Sequence, residues 1–144
     1  GSALRILDAK VKSQGGIITL EGNSGSSASA GSSGVLLQGA EIVNQGAGEI
    51  FMSGKTAAEA SSPGAGVSIL SGAIPSSLRS FNGLIEIWGS GGAAGSMGSE
   101  LIGAEVQTQG SGSISVSGTS ASLAVGLKIG SNSRIEATGT GTVH

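Results

Sequence analysis

The sequence contains no cysteine and no tyrosine, and only one tryptophan, one histidine and one aspartate. Without thiols, disulfide frameworks, thiolate metal centres and thiol catalysis are excluded. The histidine is the terminal His144, which leaves no histidine triad and no histidine-based metal site; at that position it also reads as the start of a tag. Charge is sparse, with 7 basic against 9 acidic residues, a net charge of -2 and no run of Lys or Arg. That balance provides no footprint for nucleic acid or for an anionic membrane surface. No apolar run approaches the ~18 residues that span a bilayer, so membrane insertion of this stretch is not expected. No signal peptide opens the chain, and Gly1-Ser2 looks like a cloning scar. Residues 1–144 therefore read as one unit excised from a longer protein, with no cofactor and no catalytic set.

Glycine and serine are what the chain has in abundance: 28 Gly and 27 Ser among 144 residues. Such a share without periodicity would mean a flexible linker. Leu, Ile, Val and Phe nevertheless make up about 24% of the chain, above the roughly 20% below which chains stay unfolded. A core is therefore affordable, but it has to be aliphatic.

The periodicity is present. Gly34, Gly66 and Gly98 open three similar segments at a spacing of 32 residues: GVLLQGAEIVNQGAGEIFMSG, GVSILSGAIPSSLRSFNGLIEIWG and GSELIGAEVQTQGSGSISVSG. A fourth copy, LRILDAKVKSQGGIITLEG, precedes them, and a shortened fifth, GLKIGSNSRIEATG, follows. Aligning the five copies makes columns of Ile18, Ile50, Ile85, Ile114 and Ile135, then of Leu20, Met52, Ile87, Val116 and Ala137. Between these columns lie Thr19, Phe51, Glu86, Ser115 and Glu136, an alternation that marks a strand with one buried face. Two further strands per copy follow from the columns Ile6, Leu37, Ile69, Leu101 and Val11, Ile42, Ile74, Val106. These stretches are too short and too interrupted by glycine for helices. NSGSSASAGSS and KTAAEASSPGA read as excursion loops, and SLRSFNG in the third copy as an insertion at another corner.

Three short strands cannot bury their aliphatic face alone, whereas stacking the copies at the ~4.8 Å strand spacing superimposes like on like. The expected fold is all-β: a right-handed parallel β-helix, or solenoid, of about five turns of three short strands and about 24 Å in length, with Gly/Ser-rich excursion loops. Gln14, Gln45 and Gln109 would stack as amides or stand as ordinary turn residues, with Ser77 interrupting them.

Turns of the form G-V-x-L-x-G-A-x-I-x-x-x-G-x-G-x-I-x-aliphatic-x-G, joined by Gly/Ser/Ala loops, resemble the repeats of bacterial filamentous-haemagglutinin-type proteins and autotransporter passengers. The resemblance covers nearly the whole chain, although its turns are longer than is usual in those families and no secretion domain is present. It implies a β-helical shaft exported to the cell surface, serving as stalk, adhesin or matrix component, and it transfers no catalytic residue. Partners implied are neighbouring repeats of the parent protein, a host or matrix glycan or protein, and further copies meeting end to end.

Two other functions compete with a non-catalytic shaft or adhesin segment. A polysaccharide-degrading enzyme would need clustered carboxylates. Glu41 and Glu105 fall two turns apart with Ala73 between them, and Glu86 and Glu136 two turns apart with Ser115 between them, patterns that better fit a solvated face. A carbohydrate-binding β-helix would need an exposed aromatic surface. Alternation puts Phe51 and Trp88 outward on successive turns, two residues apart along the strand and flanked by Glu49, Glu86 and Arg79. Against that surface stands a cover of Leu78, Phe81, Pro63 and Met97 folded over both rings.

Overall fold

A computed structural model describes residues 1–25, 31–58, 64–92, 94–121 and 124–144. The described residues hold fourteen strands and no helix. The first turn is β1 (Leu4–Leu7), β2 (Lys10–Ser13) and β3 (Ile18–Asn23); the second is β4 (Val35–Gln38), β5 (Glu41–Asn44) and β6 (Ile50–Lys55). The third comprises β7 (Ala65–Leu70), β8 (Ser76–Ser80) and β9 (Ile85–Gly91), and the fourth β10 (Met97–Ile102), β11 (Ala104–Gly110) and β12 (Ile114–Ser120). β13 (Leu127–Ile129) and β14 (Arg134–Gly139) begin a fifth. Every pairing between these strands is parallel. They form a first sheet β1-β4-β7-β10-β13, a second β2-β5-β8-β11-β14 and a third β3-β6-β9-β12. The chain is a right-handed parallel β-helix of four complete turns. Its fifth turn is closed on the third side only by the bridge from Val143 to Ile114.

Aliphatic ladders fill the interior, as side chains alternating in and out of each strand require. In the first sheet Ile6, Leu37, Ile69, Leu101 and Ile129 stand in register. The third sheet contributes Ile18, Ile50, Ile85 and Ile114 beside Leu20, Met52, Ile87 and Val116. The last rung departs from the expected columns: Ile135 pairs with Val106 and Ala137 with Thr108, both in the second sheet, and Val143 takes the place expected of Ile135. Glu136 accordingly lies beside Gln107 and not in the row of Glu86. The copy is shortened by a missing third strand, and equal spacing from glycine matched the wrong two sides.

The third turn also differs from expectation. Leu78, not Ile74, stands between Ile42 and Val106, so SLRS lies within β8 and the insertion lies before it. Ser71–Pro75 forms a tongue at the corner between the first two sheets, where the second turn passes with Gly39-Ala40 alone. The other crossings use left-handed backbone at Asp8 (φ 45), Gly39 (φ 62), Gly103 (φ 61) and Asn132 (φ 59). Glycine enters that region without steric penalty, and aspartate is among the few residues that tolerate it.

The corner between the second and third sheets is latched by a buried polar column that the aliphatic pattern does not reveal. Asn44, fully buried, donates from Nδ2 to the Gly16 carbonyl at 2.7 Å and accepts from the Gly46 amide at 3.1 Å. In the same column Ser80 accepts from the Gly83 amide and Thr108 donates to the Gly112 carbonyl. Asn44→Ala should therefore lower stability by about 1–2 kcal/mol, because it removes both hydrogen bonds of a fully buried side chain. Urea titration would register the loss as a lower midpoint, with the exposed Gln45→Ala unchanged. Equal midpoints would show that the latch is dispensable. Phe81, not Ser77, occupies the place between Gln45 and Gln109, as the bond from the Phe81 amide to the Asn44 carbonyl and the pairing of Thr108 with Ser80 require.

Candidate functional site

The outer surface of the third sheet is built by the same alternation that fills the core. With Ile50, Met52, Ile85 and Ile87 buried, the residues between them must face out. The register sets Phe51 opposite Glu86 and Ser53 opposite Trp88, so Phe51 and Trp88 are diagonal neighbours on adjacent rungs. Such neighbours lie about 7–8 Å apart, within reach of aromatic side chains. Trp88 is 38% exposed and Phe51 half-buried.

The expected cover is not formed by the described residues. Leu78 is fully buried in the ladder of the second sheet, Phe81 is itself exposed, and Met97 begins β10 on the first sheet. Pro63 lies outside the described residues. The expected flank also changes on one side. Glu49 immediately precedes β6 and Glu86 lies within β9, both on the third sheet, but Arg79 belongs to β8 on the second and is bonded to Glu105 at 3.1 Å. Arg79 is thus not part of the aromatic surface, because the segment read as a corner is a strand of another face.

One residue missing from the sequence reading joins the surface. Ile17 is 68% exposed, and the bond from the Ile18 amide to the Glu49 carbonyl places it on the rung before Phe51. Ile17, Phe51 and Trp88 make an oblique apolar stripe across three rungs, with Glu49 and Glu86 beside it. An isoleucine standing one residue ahead of the buried Ile18 breaks the apolar–polar alternation, and that break was the available signal. Neither Glu49 nor Glu86 enters any of the ion pairs found among the described residues.

Four other carboxylates are already engaged. Ser77, not Ala73, separates Glu41 from Glu105; Lys10 pairs with Glu41 and Arg79 with Glu105. Lys128 bridges to Glu100 at 2.9 Å and Arg134 to Glu136 at 2.6 Å. These partly exposed pairs contribute at most about 1 kcal/mol each. Among the described residues no three His, Asp or Glu side chains gather as a metal site. The surface can stack a flat or apolar ligand against its rings and accept hydrogen bonds on two carboxylates. No protein-family model matches the chain, and no curated protein or solved structure matches it either.

Proposed function

We propose that the chain is a non-catalytic shaft or adhesin segment of an exported bacterial surface protein, acting outside the cell as a stiff spacer. The observation that supports this reading is the stacking of like residues in all three sheets, rung after rung. Each added turn buries the open face of the one before, so such a rod can be lengthened without a new core design. A cysteine-free chain also suits export in an extended state, since no thiol has to be kept from pairing on the way.

The exposed Trp88 beside Phe51 favours a second reading, in which the third sheet binds carbohydrate by stacking a sugar face on the rings. Tryptophan fluorescence separates the two, because Trp88 is the single reporter. A 38% exposed ring should emit at long wavelength and be quenched readily by acrylamide. For a spacer, a panel of plant, bacterial and host oligosaccharides leaves that emission unchanged. Saturable protection of Trp88 from the quencher, abolished in Phe51→Ser, would replace the spacer by an adhesin.

A further inference from the structure

The tongue Ser71–Pro75 is the longest crossing between the first and second sheets, and it walls a groove. Its base is pinned: the Ser76 hydroxyl donates to the Leu70 carbonyl at 2.6 Å and accepts from the Ala40 amide at 3.2 Å. The Gly72 amide bonds the Ile74 carbonyl at 2.9 Å and closes a turn inside the tongue. Ile74 cannot reach the interior, where Leu78 has its place, and remains 56% exposed. Ala73 and Ile74 form one wall of a groove of about 330 Å³, and Asp8, Ala9, Lys10, Gly39 and Glu41 complete it. In repeat proteins insertions map to loops on one face, which is often the binding face.

The charges in the groove do not cancel. Lys10 is committed to Glu41, whereas Asp8 has no ion-pair partner among the described residues. Its carboxylate lies against the Cα of Gly39, and a Cβ built on Gly72 would stand 3.1 Å from Asp8 Oδ1. The groove thus has an aliphatic wall at Ile74 and an uncompensated carboxylate at its head. That combination fits an alkyl stem ending in a cation.

We propose that this groove is a docking site for a basic side chain, arginine or lysine, carried by an extended segment of a partner protein. The stem packs on Ile74 and Ala73, and the guanidinium or ammonium group donates to Asp8. An arginine can also reach the carboxylate oxygen of Glu41 left free by Lys10, since its planar fork presents several donors. This assignment does not depend on the third-sheet surface or on a spacer role, because the groove lies at the opposite corner.

The probe is a blocked heptapeptide of glycine and serine with one central arginine, titrated into the isotopically labelled protein while amide resonances are followed by NMR. The expected result is saturable shifts at Asp8, Gly39, Glu41, Ala73 and Ile74, weakening as salt is added. Asp8→Asn should raise Kd at least tenfold, as the loss of one charge-assisted hydrogen bond implies, and the fold is spared because asparagine tolerates the same left-handed backbone. Ile74→Ser should weaken binding severalfold, and Glu86→Gln, a carboxylate on another face, should not change it. The proposal is overturned if the arginine peptide causes no saturable shift, or if a glutamate peptide binds equally well. Equal weakening by Glu86→Gln and Asp8→Asn would also overturn it, since the attraction would then belong to the net charge. A neutral oligosaccharide that moves these amides when the arginine peptide does not would assign the groove to sugars instead.

Discussion

Ile85→Asp is expected to unfold the protein at room temperature. Ile85 is fully buried in the third sheet between Ile50 and Ile114, and the surrounding ladder is aliphatic, so no donor is at hand for a carboxylate. Burying an unpaired carboxyl group costs several kcal/mol even if it takes up a proton, and the lost isoleucine adds a cavity. Together these approach or exceed the roughly 5–15 kcal/mol by which a domain is stable. The position also lies mid-rod, where a failed rung separates two fragments of which neither has a closed core. Ser117→Asp, an outward position on β12 opposite Trp88, is the matched control and should leave the melting temperature almost unchanged. Ser115 is unsuitable because it faces Glu86, and a second carboxylate there would add repulsion. Far-ultraviolet circular dichroism melts decide the matter: similar curves for the two variants would mean that the inward and outward faces have been exchanged.

The second large effect is expected from adding a single methyl group. Where the third sheet meets the first, two rows of glycine press backbone against backbone: Gly22, Gly54, Gly89 and Gly118 on one side, Gly34, Gly66, Gly98 and Gly126 on the other. A Cβ at Gly54 would collide with the Gly66 carbonyl and come within 2.9 Å of Val67 Cγ2. Alanine normally gains about 0.4–1 kcal/mol over glycine by restricting the unfolded chain. Here that gain is outweighed, because neither side of the seam can retreat without breaking its own ladder, and overpacking costs about 1–3 kcal/mol, with backbone against backbone at the upper end. Gly54→Ala should therefore lower the melting temperature strongly. Gly16→Ala, whose new methyl would meet nothing nearer than Ser13 Oγ at 3.4 Å, should be neutral or slightly stabilising. Should Gly54→Ala melt like the wild type, the two sheets cannot be in backbone contact at that corner.

The glycine seam shows how far the sequence could be read. Its recurrence at a fixed spacing identified the repeat, but spacing alone does not say why glycine is needed, and a turn and a close approach look the same in one dimension. The polar column of Asn44, Ser80 and Thr108 escaped for a related reason. Short polar residues before a glycine read as ordinary turn chemistry, and only the closing of the coil puts them inside.

The candidate surface divides along the same line. Period-2 alternation was enough to orient Phe51, Glu86 and Trp88 outward, since it depends only on which neighbours are apolar. Arg79 was assigned to their flank because the insertion in the third turn could be slid along the chain without disturbing any column except that of Ile74. Register removes the freedom: a strand displaced by one residue would turn Leu78 out and Arg79 in, and the core rejects the charge.

From the sequence alone follow the all-β class, the coiled repeat, its parallel stacking and most of the aliphatic ladders, all consequences of local alternation and a fixed period. The tertiary structure alone decided which side of the coil each irregular segment joins. It gave the last rung's Ile135 to the second sheet, set Leu78 in place of Ile74, and left the tongue projecting beside Asp8. The physical reason is that a solenoid tests each residue against the rungs above and below it, and an insertion can be located only when those rungs are present.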